Sequence, residues 1–160
     1  MSGLIAGALF AIAQVVTTLA MGESATTAFR TFASVLLGPP ALSDIHIAAV
    51  VSIALITNVY VSAMCGLVYG LYNSALTMAT RRSVGREAIV GTLFGVIVWL
   101  VNFRVIAPIH YTWLLELAPV PQLLLHALCF GLPLGILYAT GERRFTTPRS
   151  HYSHPHTTST

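Results

Sequence analysis

Four long apolar runs dominate the pattern of the chain, separated by shorter polar or mixed stretches. The first runs from about Gly3 to Met21 and contains no charge. The second extends from about Ile47 to Leu71. The third begins just after Glu87 and ends near Ile109, with Arg104 close to its end. The fourth covers about Pro121 to Thr140. A hydrocarbon core of about 30 Å takes roughly 20 apolar residues as a helix, so each run is long enough to span it. Backbone groups facing lipid must be satisfied within the segment, which makes the runs helices. Only Met1 and Ser2 precede the first run, without the basic residues that open a signal peptide, so that run reads as a span.

The connections carry a second pattern. Between spans one and two, Ala25, Ala28, Phe29, Phe32, Val35 and Leu36 recur at helical spacing. Ser24, Thr27, Arg30, Thr31 and Ser34 fall mostly on another side. This predicts an amphipathic helix lying in the interface, stopped by Gly38-Pro39-Pro40. Between spans three and four, Tyr111, Trp113, Leu114, Leu115 and Leu117 precede Pro119 and Pro121. Trp and Tyr favour the headgroup level, so a second interfacial stretch is expected. From Thr146 onward the chain is Ser, Thr, His and Pro without periodicity, a polar tail. The chain therefore divides into a four-helix transmembrane domain, 1–145, and a tail, 146–160.

Spans one and three share a pattern: Leu4-Ile5-Ala6-Gly7-Ala8-Leu9-Phe10 against Ala88-Ile89-Val90-Gly91-Thr92-Leu93-Phe94. Gly66-Leu67-Val68-Tyr69-Gly70 in span two is likewise close to Gly131-Leu132-Pro133-Leu134-Gly135 in span four. The expected fold is an all-α integral membrane protein. Its four transmembrane helices form two parallel-repeated hairpins, each with an outer interfacial helix. Every span also carries a GxxxG pair: Gly3 and Gly7, Gly66 and Gly70, Gly91 and Gly95, Gly131 and Gly135. Small residues four apart let helix backbones approach where burial alone drives nothing together. These eight glycines are the expected helix-packing residues. Their stripes either hold the four helices together or dock a helix of another protein.

Composition sharpens the class. The chain is 56% hydrophobic and 8% charged, too few charges to coat a soluble domain. Its eight basic residues are all Arg, and the net charge of +3 is spread over loop ends, which does not point to nucleic acid. Arg81, Arg82 and Arg86 lie between spans two and three, and Arg143, Arg144 and Arg149 follow span four. The positive-inside rule puts both clusters, and hence both termini, in the cytoplasm. Cys65 and Cys129 lie in apolar runs and read as small hydrophobes.

Candidate chemistry is sparse. Gln14, Asn58 and Asn102 are intramembrane amides, suited to interhelical hydrogen bonds or to a ligand. His126 is the ionisable side chain well inside a span, on a face with Gln122, Cys129 and Pro133. A neutral imidazole can ligate haem iron or a pigment magnesium, or bond a quinone oxygen. His46 and His110 lie at the same outer edge and are expected to be able to approach it. Arg104, on the outer side of span three, is expected to snorkel and pair with Glu116, or else to bind an anion or headgroup. His126, Arg104 and His110 are thus the candidate cofactor-binding residues, with the cofactor itself unidentified. Pro133 removes a backbone bond to Cys129 and is expected to kink span four. His151, His154 and His156 have spacing compatible with metal ligation, but read as a solvated tail, so no metal site is assigned. No nucleophile–base–acid set, phosphate loop, HExxH motif or pair of intramembrane acids appears, and the chain does not read as an enzyme.

The run Gly91-Thr92-Leu93-Phe94-Gly95 in span three, and His126 through Gly135 followed by Tyr138 in span four, resemble small four-span bacterial inner-membrane proteins of unknown function. The resemblance covers the membrane part. It implies a bacterial inner-membrane location and supplies no activity. The expected function is a structural or accessory subunit of a larger membrane complex, with lipids and other integral subunits as partners. The alternative is a small membrane module that binds a haem, pigment, quinone or anion, or transports a small solute.

Overall fold

The computed structural model describes residues 1–145; the tail and its three histidines lie outside the described residues. Among the described residues every regular element is helical. Four helices are long and apolar enough to cross a membrane: α1 (Ser2–Ala20), α3 (Ile47–Ser74), α5 (Val84–His110) and α6 (Pro119–Arg143). Between α1 and α3 lies α2 (Ala25–Leu37), and between α3 and α5 a single turn, α4 (Met78–Arg81). Both ends of the described chain and α4 share one end of the bundle, the termini end. The two long connections share the other, the connection end.

The expected helix α2 forms, but its faces differ in part from the expected split, since Ser34 of the polar side is fully buried and Leu36 of the apolar side is exposed. Its Ala28, Ala33 and Ser34 are buried, and Phe29 and Phe32 pack with Val50 and Ala54 of α3. Gly38 stops it with φ 73°, a left-handed conformation that glycine adopts without strain, and Pro39 opens a short 3₁₀ turn. Arg30 ties the returning chain down, donating to the carbonyls of Ala41 at 2.8 Å and Ile45 at 3.3 Å.

The second connection differs from expectation. In place of an interfacial helix there is a five-residue 3₁₀ turn, Thr112–Glu116. Only eight residues separate His110 from Pro119, and Pro119 already opens α6. That is too short for a helix that lies flat and returns. The two hairpins are therefore unlike in their connections. The connections touch through one hydrogen bond, from Trp113 Nε1 to Ser34 Oγ at 3.0 Å.

Two of the long helices change pitch. Residues Val101–Ile106 of α5 and Leu125–Gly131 of α6 are π-helical. Ala107 N–H donates to Asn102 O, and Leu132 N–H to Ala127 O, each five residues back. A proline follows each stretch, Pro108 and Pro133. In a regular α-helix their rings would press on the carbonyls of Arg104 and Cys129, and the wider turn relieves that clash. At Pro133, where a kink is expected, the structure has a π-helical stretch ahead of the proline.

Candidate binding cavity

Glycine contacts draw the helices together in the half nearer the termini. A Cβ on Gly3 of α1 would lie 2.6 Å from Ser62 O and 2.8 Å from Gly66 Cα of α3. A Cβ on Gly91 would meet Gly131 O and stand 2.9 Å from Gly135 Cα, so α5 and α6 touch backbone to backbone. On Gly135 it would meet Glu87 O, and on Gly95 it would meet His126 O. Gly7 faces the Ser62 side chain, and Gly70 the Tyr138 hydroxyl, which donates to Gly66 O at 2.6 Å. All four GxxxG pairs are directed at other helices of this chain.

A polar knot sits in the same half. Glu87, which the hydropathy pattern puts just outside span three, lies in the first turn of α5 and is fully buried. Its Oε2 accepts from the Tyr69 hydroxyl at 2.7 Å and from Asn73 Nδ2 at 3.2 Å. Its Oε1 accepts from Arg86 Nη1 at 2.7 Å. Tyr69 and Asn73 stand four apart on α3, so one helix face supplies both donors. That spacing, ending beside a Glu–Arg pair across a short loop, was the available sequence signal. An aromatic layer of Tyr69, Phe94, Tyr138, Phe130 and Phe10 covers the knot on the inside.

Beside and beyond the glycine contacts, toward the connection end, the helices border a partly open cavity of about 180 Å³. All four long helices contribute to it. Phe32 of α2 and Tyr111 and Leu114 of the second connection line it as well. Both π-helical stretches open onto it, through Asn102, Phe103 and Ile106 on α5 and through His126 and Phe130 on α6. Such wider turns recur at functional sites because they redirect side chains that a regular helix would aim elsewhere.

The polar groups on the wall are all neutral, and no Asp, Glu or Arg is among the described residues that line it. His126 is 8% exposed, and its Nδ1 lies 2.7 Å from Gln122 O. A carbonyl only accepts, so Nδ1 carries the proton and Nε2 keeps a lone pair. Phe10 and Phe103 stand edge-on to the imidazole at 4.8 and 5.9 Å between centroids. Asn58 is partnered, its Nδ2 donating to Gly7 O at 3.2 Å. The side-chain amides of Gln14 and Gln122, residues only 7% and 6% exposed, make no hydrogen bond among the described residues. Neither does the Asn102 amide or the Tyr111 hydroxyl.

The other expected site residues are elsewhere. Arg104 is exposed and lies 5.8 Å over the Trp99 ring, a cation–π contact in place of the expected pair with Glu116. The redirected π-helical turn that bears Arg104 accounts for its position. His110 is exposed beside Tyr111, and His46 caps the start of α3, accepting from Ala48 N at 3.3 Å. The three histidines do not converge, and the described residues contain no group of three metal-ligating side chains. Comparison with family models, with curated proteins and with solved structures found no match to this chain.

Proposed function

We propose that the protein is a membrane-embedded binding module whose cavity holds a small, uncharged, largely apolar molecule. The observation that carries this reading is the pair of amides, Gln14 of α1 and Gln122 of α6, on largely buried residues that line one cavity and make no hydrogen bond among the described residues. Buried amides in helix bundles ordinarily find a backbone or side-chain partner, as Asn58 does, because an unmet one costs roughly 1–3 kcal/mol. The amides of Gln14 and Gln122 reach the space of the cavity, where a ligand can meet them. The neutral wall disfavours an anion, and Arg104 lies outside it.

Native mass spectrometry of protein released from lipid nanodiscs tests the reading. The wild type should retain a neutral adduct, and Val98→Phe, which fills the cavity from α5, should lose it. Absence of any adduct from the folded wild type, with none recovered after adding cell lipid extract, would overturn it.

A second reading, an accessory subunit of a larger complex, is favoured by Tyr60. It stands midway along the 28-residue α3, is 62% exposed, and its hydroxyl has no partner among the described residues. A bare hydroxyl at mid-membrane is unfavourable against lipid and satisfied against a partner helix. Leu55, Ile56, Val59 and Ala63 form a shallow apolar groove beside it. In this reading the partner packs on the Tyr60 face, since the glycine stripes are turned inward. Extraction in mild detergent should then co-purify a stoichiometric subunit. A monodisperse single chain, unchanged by Tyr60→Leu, would exclude it.

For location we propose a bacterial inner membrane with both termini cytoplasmic. The two Arg groups support this, and Arg81 and Arg82 meet Glu142 and Arg143 at the termini end. A reporter fused after Thr160 should be active only on the cytoplasmic side.

A further inference from the structure

We propose that the cavity is a quinone site: it takes the ring of a lipid-soluble quinone, a flat, neutral six-membered ring with two carbonyl oxygens. The proposal rests on the reading of the cavity as a small-molecule site and names the class of its ligand. Three features of the wall converge on it.

The first is size: a space of about 180 Å³ accommodates a single substituted ring. The second is shape. Phe10, Phe32, Phe103, Tyr111 and Phe130 surround the space with aromatic faces and edges. Phe10 alone is edge-on to Phe32 at 6.0 Å and to Phe130 at 6.2 Å. Walls of this kind take a planar guest in stacked or edge-to-face geometry. An acyl chain needs no such chamber.

The third feature is the polar pattern. Gln14 on α1 and Gln122 on α6 each offer amide N–H donors with no competing partner, one from each of two helices. A quinone ring carries two carbonyl oxygens that can accept from such donors. The reduced form, with two hydroxyls, also fits. The free lone pair of His126 Nε2 accepts one hydroxyl proton, and an amide oxygen accepts the other. With no charged side chain among the described residues that line the space, a carboxylate, phosphate or ammonium group would enter unpaired by them.

A matched pair of probes separates this proposal from the broader one. Tetramethyl-1,4-benzoquinone and 1,2,4,5-tetramethylbenzene have nearly the same shape and differ in the two oxygens. Binding of each to the full chain in nanodiscs is measured against protein-free nanodiscs, which removes partition into lipid. The quinone should bind about tenfold more tightly than the hydrocarbon or better, the worth of one to two hydrogen bonds. The double variant Gln14→Leu, Gln122→Leu should remove that preference while still binding the hydrocarbon. Equal affinity of the wild type for both probes would overturn the quinone assignment and leave the binding module standing. Binding of neither would overturn both. A preference that persists in the folded double variant would refute the role given to the amides. If that variant does not fold, the wild-type ratio and the single variant Gln122→Leu decide.

Discussion

The two halves of the bundle are built on opposite terms. Near the termini, glycine backbones touch, and the one buried carboxylate, Glu87, accepts from three donors, although Asn73 Oδ1 beside it has no partner among the described residues. Near the connections, two of the same helices change pitch, and the amides of Gln14 and Gln122 line a cavity without partners among the described residues. Lipid tails are as apolar as the side chains, so helices hold together only where packing and hydrogen bonds are good. The tight half supplies that cohesion. The loose half can then keep unmet polar groups and a cavity without the bundle falling apart. Rigid support beneath an incompletely satisfied chamber is what a binding site requires.

The largest effects should come from attacking the tight half at its backbone contacts. Gly135→Leu sets a side chain against Glu87 O and Gly91 Cα, neither of which can move alone. A loss of about 3 kcal/mol or more is expected, the upper range for overpacking, measured by unfolding in mixed micelles. Gly66→Leu, against Gly3 Cα, should do more harm than Gly70→Leu, whose obstacle is the end of the Tyr138 side chain. Equal and negligible effects at all three positions would mean that the halves do not differ in packing.

Next is Glu87→Leu, which strands the Tyr69 hydroxyl, the Asn73 amide and Arg86. Breaking a buried pair costs about 3–5 kcal/mol, and Arg86 is 36% exposed, so about 2–3 kcal/mol is expected. Glu87→Gln should recover part of this, since an amide oxygen still accepts from Tyr69. If Glu87→Leu unfolds like the wild type, the knot contributes nothing to the tight half.

In the loose half the same measurements should move little. His126→Leu removes one hydrogen bond, to Gln122 O, on the order of 1 kcal/mol. The absorbance spectrum should not change. A visible band in the wild type that disappears in the variant would instead mean a haem or pigment on His126. The smallest effect is expected for Trp113→Phe, which deletes the bond between the two connections, about 0.5–1 kcal/mol. Its readout is faster exchange of a cavity-bound probe at almost unchanged stability. A slower exchange would show that this bond does not help close the chamber.

Much of the architecture follows from the order of residues alone. Four runs of apolar residues of membrane length must be helices, because no other backbone satisfies itself in hydrocarbon. The helix α2 is legible in its periodicity and its Gly38 stop, since both are local. Gln14, Asn58, Asn102 and His126 stand out individually as polar groups in apolar runs. The pairing of the glycines is another matter. GxxxG marks a face, and only the assembled bundle decides that Gly3 meets Gly66 and that Gly91 meets Gly135. Glu87 reads as a boundary residue, because hydropathy averages over a window while its burial depends on Tyr69 and Asn73 from another helix. Arg104 and Glu116 read as a pair from proximity in sequence, and the π-helical turn before Pro108 sends Arg104 over Trp99 instead. Local sequence sets which segments are helical, because helical hydrogen bonds join residues only four or five apart. A cavity exists only between helices, so its walls were decided by packing, at distances along the chain that no local pattern records.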